Sequence, residues 1–171
     1  MGRSVSARTG GVIMRVGIGY DVHRFTKKRE LILGGVTIPN AQGLAGHSDA
    51  DVLLHSIMDA LLGAAALRDI GCHFPDTDEA YENVDSRMLL RETAALLRRK
   101  GYLIVNVDST ILCQKPKLAS YIPLMITHIA LDLELYPGAV NVKATTTEGL
   151  GSIGREEGIA AMAIALLHKT I

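Results

Sequence analysis

Segments in which apolar residues alternate singly are interleaved with segments in which they recur every three to four residues, and that alternation restricts the chain to a sheet carrying helices. Residues 15 to 24 read as a strand, and Leu31 to Pro39 as two short strands about the Gly34–Gly35 turn. From Ala50 to Leu67, Val52, Leu53, Ile57, Ala60, Leu61 and Ala64 keep helical spacing, with Ser48 or Asp49 placed to cap the segment. A second helix is predicted over Ser86 to Lys100, capped by Asp85 and stopped at Gly101. Tyr102 to Gln114 then reads as a long strand, Lys117 to Leu135 as a third helix with Pro123 near its start, Ala139 to Thr147 as a strand and Arg155 to Lys169 as a closing helix. The predicted class is α+β (mixed α/β): a four-stranded mixed sheet with helices on one face, plus a small hairpin.

A chain of 171 residues suffices for a single domain. Residues 1–13 contain no acid and no core pattern before Val12, so they are expected to be a disordered leader to one domain over 14–171. Eighteen basic side chains balance eighteen acidic ones, which leaves no global field to hold nucleic acid or an anionic membrane. Any anionic ligand must be held locally. Cys72 and Cys113 have neither zinc-ribbon nor CxxC spacing, and a reduced, cytoplasmic setting is the default. No apolar run reaches the roughly 18 residues needed to cross a bilayer.

Residues two apart in a strand face the same side, so Asp21 and His23 of GYDVHRF project together. On the first predicted helix, Asp51, His55 and Asp59 recur at four-residue steps and form one polar stripe. His55 stands among Leu53, Leu54, Ile57 and Met58, where an unpaired imidazole is costly. Two imidazoles and a carboxylate make an open zinc set with a fourth position for water or a phosphate oxygen. Asp51 or Asp59 would then orient His55 from behind. The same spacing also allows Asp21 and His23 to pair with each other or with an arginine, and His55 to be a hydrogen-bonded core residue. His47 and Ser48 precede the helix and can donate to a phosphate oxygen, or serve only as loop and cap.

Residues 68 to 85 are too rich in Gly, Pro and Asp for a regular element, and an irregular segment of that length is more often functional than idle. Gly149, Gly151 and Gly154 fit GxGxxG, the dinucleotide fingerprint. After Gly154 the chain is expected to lack the next strand and its ribose-binding acid, so that reading is set aside. What remains is narrower. The hydroxyls of Thr145, Thr146 and Thr147, the Glu148 carboxylate and Arg155 can hold a diphosphate and a hard cation such as Mg2+, or be strand filler and surface charge. Lys115 and Lys117 flank Pro116 at a strand-to-helix junction, where a cation and backbone N–H groups can meet a phosphate or a base edge.

Taken in order, GYDVHRF, GHSDADVLLH, DIGCHFPDTD, DSRMLLRE, CQKPKL and VKATTTEGLGSIGREEGIA resemble the 2-C-methyl-D-erythritol 2,4-cyclodiphosphate synthase family, from Met14 to the C-terminus. The resemblance implies conversion of 4-diphosphocytidyl-2-C-methyl-D-erythritol 2-phosphate to the 2,4-cyclodiphosphate with release of CMP. It implies Zn2+ on Asp21, His23 and His55, and Mg2+ or Mn2+ held with the help of Glu148. His47 and Thr146 match the family's transition-state stabilisers, with Ser48 alongside. The segment carrying Asp69, Ile70, Gly71, Phe74, Pro75, Asp76, Thr77 and Asp78 would enclose the methylerythritol part. Cys113, Pro116, Lys117, Leu118 and Ala119 would bind cytosine and ribose, aided by Ala144, Thr145, Thr146 and Thr147. It further implies a homotrimer with sites shared between subunits and Arg155 near the subunit junction. Two rivals keep the same residues: a metal-dependent nucleotide diphosphate hydrolase and a non-catalytic nucleotide-binding trimer.

Overall fold

The computed structural model describes residues 11–27 and 29–170. Residues 1–10 of the expected leader lie outside them, while Val12 and Ile13 already belong to the first strand. A five-stranded sheet runs in the order β4-β1-β7-β5-β6, formed by β1 (Val12–Thr26), β4 (Gly43–Leu44), β5 (Leu103–Leu112), β6 (Val140–Thr145) and β7 (Gly158–Thr170). Only β5 and β6 are parallel, so the sheet is mixed, as predicted. Leu31–Leu33 (β2) and Val36–Ile38 (β3) make the separate hairpin.

The sheet has five strands where four were expected, and residues 155 to 169 do not form a helix. A continuous apolar run cannot be told from a buried helix by periodicity, and alanine favours helix when nothing else intervenes. Here β7 lies between β1 and β5 and pairs with both over most of its length. Ala161, Ala163 and Ala165 are buried on one face, while Met162 and Ile164 stand exposed on the other. A strand therefore does follow the glycine-rich turn, but it returns antiparallel after one helical turn (α5, Gly151–Gly154) and builds no parallel crossover.

Those alanines make room for α1 (Val52–Ala64), which lies on the sheet over β1 and β7. Gly17 and Gly19 of β1 do the same: a Cβ on Gly19 would sit 1.9 Å from the Ser56 carbonyl oxygen, and one on Gly17 2.1 Å from that of Ala60. Asp51, rather than Ser48 or Asp49, caps α1 by accepting Leu54 N–H at 3.1 Å, and it also accepts Gly35 N–H at 2.7 Å, tying in the hairpin. Beyond α1 lies α3 (Ser86–Arg99), capped by Asp85 as predicted. The fourth helix, α4 (Ile122–Leu133), starts later than predicted, with Pro123 in its first turn where a missing N–H costs least. Its buried Asp132 receives Arg87 at 2.6 Å and Arg91 at 3.0 Å, tying α4 to α3. Among the described residues no helix is long and apolar enough to cross a membrane.

Candidate active site

The alternation of β1 places Asp21 and His23 on the face that α1 covers, and the first turns of α1 bring His55 over them. His23 Nδ1 lies 2.6 Å from the Ala45 carbonyl oxygen, an acceptor only, so Nδ1 is protonated and Nε2 is left to offer a lone pair to an ion or, without one, a second proton to Asp21. That Nε2 is 2.8 Å from Asp21 Oδ2. His55 Nδ1 is 3.1 Å from the same oxygen and 3.3 Å from His23 Nε2. Beyond it, His55 Nε2 meets the hydroxyls of Ser48 at 3.0 Å and Ser86 at 3.1 Å.

Three potential ligand atoms thus converge on one point, and they are the one such group of three or more among the described residues. A tetrahedral ion with bonds of about 2.0–2.1 Å sets its donors about 3.3 Å apart, so this triangle needs only slight expansion to accept one. Without an ion, protons must relieve the repulsion. Burial alone would raise Asp21, but hydrogen bonds from His23 and His55 outweigh it and hold the carboxyl well below the usual range. Burial would lower His23, yet the Asp21 carboxylate outweighs it and lifts the ring above 6.5.

Neither acid of the predicted stripe orients His55. Asp51 is engaged by Gly35 and Leu54, and burial with help from Asp49 pushes it up to about 6. Asp59 accepts Ile70 N–H at 2.8 Å; burial raises its carboxyl, and Asp21 and Asp69 add to the rise. The contacts behind His55 come instead from Ser86 and Ser48, and sequence spacing gave no signal for Ser86 because it meets His55 only through tertiary packing.

The triad lines a cleft of about 430 Å3 together with His47, Ser48 and Asp59. Part of its wall is the segment read as irregular, which contains one short helix (α2, Ile70–His73) and one 3-10 turn (Glu79–Tyr81). Of the residues expected there to enclose substrate, the cleft takes Ile70, Gly71, Phe74 and Asp76, and not Asp69, Pro75, Thr77 or Asp78. Asp69 caps α2 and Asp78 caps the 3-10 turn, while the Asp78 carbonyl meets His47 Nε2 at 3.2 Å. Gly46, Tyr81 and Leu89, unforeseen from sequence, complete the wall, and Tyr81 stacks edge-on against Phe74 at 5.4 Å.

A separate pocket of about 170 Å3 opens where β5 leads into α4. Cys113, Pro116, Lys117, Leu118 and Ala119 face Ala144, Thr145 and Thr146 at the end of β6, the grouping predicted for a nucleoside. Burial pushes the Cys113 thiol up to about 11, which makes it a packing group rather than a nucleophile. Next to this pocket, Thr146 Oγ1 donates to Glu148 Oε1 at 2.8 Å, Thr147 Oγ1 donates to Leu150 O at 2.7 Å, and Arg155 pairs with Glu157 at 2.6 Å. The two pockets share no residue: His47 belongs to the first, Thr146 to the second.

The model of the YgbB family matches residues 14–168. The 2-C-methyl-D-erythritol 2,4-cyclodiphosphate synthase of Geobacter sulfurreducens is 61% identical over 156 residues, covering 91% of this chain and 99% of that protein. Among solved structures, the bifunctional IspDF from Campylobacter jejuni superposes with a TM-score of 0.90 at 44% identity over 93% of this chain, which spans only 43% of that longer protein. IspF of Plasmodium falciparum, in a CDP complex, gives a TM-score of 0.81 at 35% identity over 92% of this chain and 97% of that one. With residues 14–168 matched by the family model and a relative matched over 99% of its length, the chain belongs to the YgbB family, that of the 2-C-methyl-D-erythritol 2,4-cyclodiphosphate synthases.

Proposed function

We propose that this chain converts 4-diphosphocytidyl-2-C-methyl-D-erythritol 2-phosphate to 2-C-methyl-D-erythritol 2,4-cyclodiphosphate and CMP, in isoprenoid biosynthesis in the cytoplasm. The observation that carries the proposal is the convergence of Asp21, His23 and His55 at a cleft that sets His47, Ser48 and Asp76 beside an apolar wall of Ile70, Phe74 and Leu89. An oxygen of the substrate's 2-phosphate attacks the β-phosphorus, and the bond from that phosphorus to the bridging oxygen breaks, so CMP leaves with the bridging oxygen. No protein nucleophile is required. The chain's work is to position two phosphates and offset their charge.

Asp21, His23 and His55 would hold Zn2+, which when bound supplies Lewis acidity toward a phosphate oxygen. His47 and the Ser48 hydroxyl, both on the cleft wall, would donate to the oxyanion developing on the β-phosphate. Ile70, Gly71 and Phe74 would shield the methylerythritol carbons, with Asp76 accepting from its hydroxyls. Asp69, Pro75, Thr77 and Asp78 would shape the segment that carries them. The smaller pocket would take cytosine and ribose, and Thr146, Thr145 and Thr147 would meet the diphosphate there. Glu148, whose carboxylate already accepts the Thr146 hydroxyl, would help to hold Mg2+ or Mn2+.

The sheet face opposite α1 supports a homotrimer. Val16, Ile18, Tyr20 and Val22 on β1 and Met162 and Ile164 on β7 are all exposed there, an apolar patch of the kind monomers seldom leave uncovered. Arg155, on the turn leading into β7, would lie near the junction. The leader outside the catalytic domain would end before Val12, because Val12 and Ile13 pair with β7 as part of β1. Phosphorus NMR of the reaction tests the assignment: a cyclic diphosphate and CMP are expected, and chelator should abolish both. A linear product carrying oxygen from labelled water would establish hydrolysis instead.

A further inference from the structure

The zinc reading requires a particular proton arrangement at His55, and, resting on that reading, we propose that Asp49 and Ser86 form a relay that fixes this arrangement and are positioning residues for the metal centre. His55 faces Asp21 and His23 through Nδ1. To ligate, Nδ1 must carry a lone pair, so the ring proton must sit on Nε2. A serine hydroxyl beside Nε2 is compatible with either tautomer, since it can donate or accept. Its other partner decides.

For Ser86 that partner is a carboxylate. Ser86 Oγ stands 2.5 Å from Asp49 Oδ1, which when ionised can only accept, so the hydroxyl proton goes to Asp49 and an oxygen lone pair is left for His55 Nε2–H at 3.1 Å. The second Asp49 oxygen accepts Ser86 N–H at 3.1 Å, which holds the carboxylate to the same residue at both ends. Asp49 N–H in turn donates to Val84 O at 3.0 Å, fixing the loop that presents it. This is more than a helix cap, because Asp85 already caps α3 by accepting Arg87 N–H at 2.8 Å. Carboxylates placed behind zinc-bound histidines fix the tautomer and raise the basicity of the ligating nitrogen. Here the carboxylate acts through one intervening hydroxyl. Ser48 plays a different part: its oxygen accepts Ala50 N–H at 3.2 Å, and its own proton can turn toward the cleft it lines.

Two variants separate the relay from simple packing. In Asp49→Asn, an amide oxygen that goes on accepting Ser86 N–H turns the amide nitrogen toward Ser86 Oγ, which reverses the hydroxyl and pushes the His55 proton to Nδ1. Ser86→Ala removes the acceptor and leaves only Ser48. Zinc affinity, read by competition with a chromophoric chelator on the full chain, should fall about ten- to a hundredfold in Asp49→Asn and less steeply in Ser86→Ala. In zinc-loaded protein labelled with 15N-histidine, the unmodified chain should show a slowly exchanging downfield Nε2 proton for His55, and in Ser86→Ala, where only Ser48 accepts it, that proton should move upfield and exchange faster. Should one variant fail to fold, the other and the proton resonance still decide. Zinc affinities within twofold of the unmodified chain in a folded variant, or no protected Nε2 proton in the zinc-loaded unmodified chain, would overturn the relay alone. An unmodified chain that takes up no zinc would overturn the metal reading together with it.

Discussion

Asp21 and His23 pull each other's proton affinities in opposite directions, and this fixes how the metal-free chain responds to pH. The Asp21 carboxyl lies below its ordinary 3.8 and the His23 ring above 6.5. A carboxyl depressed on folding stabilises above its unfolded value and loses that contribution as pH falls through the folded one. An imidazole raised on folding stabilises below 6.5 and loses its contribution as pH rises through the folded value. The pair therefore helps the metal-free protein most between about pH 4 and pH 6.5. Zinc needs both imidazoles deprotonated at the ligating atom, so it competes with the very protons that stabilise the empty centre. Melting of chelator-treated protein against Asp21→Asn should show the largest difference near pH 5–6 and a shrinking one toward pH 8. With zinc added, the difference should grow toward pH 8 instead. A difference independent of pH in both conditions would remove the proton sharing on which the site's electrostatics rest.

Helix α1 can approach β1 only because two strand positions lack side chains, so the metal site depends on glycines that touch no ligand. In Gly19→Ala the new methyl would meet the Ser56 carbonyl oxygen at 1.9 Å and Ala60 N at 2.7 Å, both backbone, so the helix must shift. Ser56 follows His55 directly, and any shift there carries the imidazole away from Asp21. A loss of about 1–3 kcal/mol or more is expected for the overpacking, with zinc affinity reduced alongside. Gly63→Ala, on the same helix, meets nothing closer than Ile18 O at 3.9 Å and should gain about 0.5–1 kcal/mol from helix propensity, with zinc binding unchanged. Thermal melts and chelator competition on both variants check the contrast, and a Gly19→Ala chain that melts and binds like its parent would contradict it. What was legible in the sequence follows the same division. The hairpin, the α3 cap at Asp85 and the shared face of Asp21 and His23 are local and were read correctly. Strand β7 was not, because its alanines favour helix until β1 and β5 pair with them and α1 claims the space above. Ser86 was missed for a related reason: its neighbour His55 lies 31 residues away, and nothing in its own surroundings marks it.

At the scale of the whole molecule, the disposition of the two pockets decides how many chains a working site needs. Within one chain the metal cleft and the nucleoside pocket share no lining residue, and His47 and Thr146, each proposed to act on the same diphosphate, lie in different ones. In the homotrimer proposed above, one chain's cleft would be completed by the next chain's pocket. In a cyclic trimer every site would then be heterologous, with the metal half from one subunit and the nucleoside half from its neighbour. Defects in different halves should therefore complement. Asp21→Asn and Thr146→Ala should each be inactive as pure assemblies. If the two chains are unfolded and refolded together in equal amounts, random mixing joins two native halves at about one site in four, and about a quarter of the native rate should return. The same proteins refolded apart and then combined should stay inactive until subunits exchange. No recovery on co-refolding would mean that each chain carries its whole site, and Thr146 would have to reach the Asp21 cleft without a neighbour.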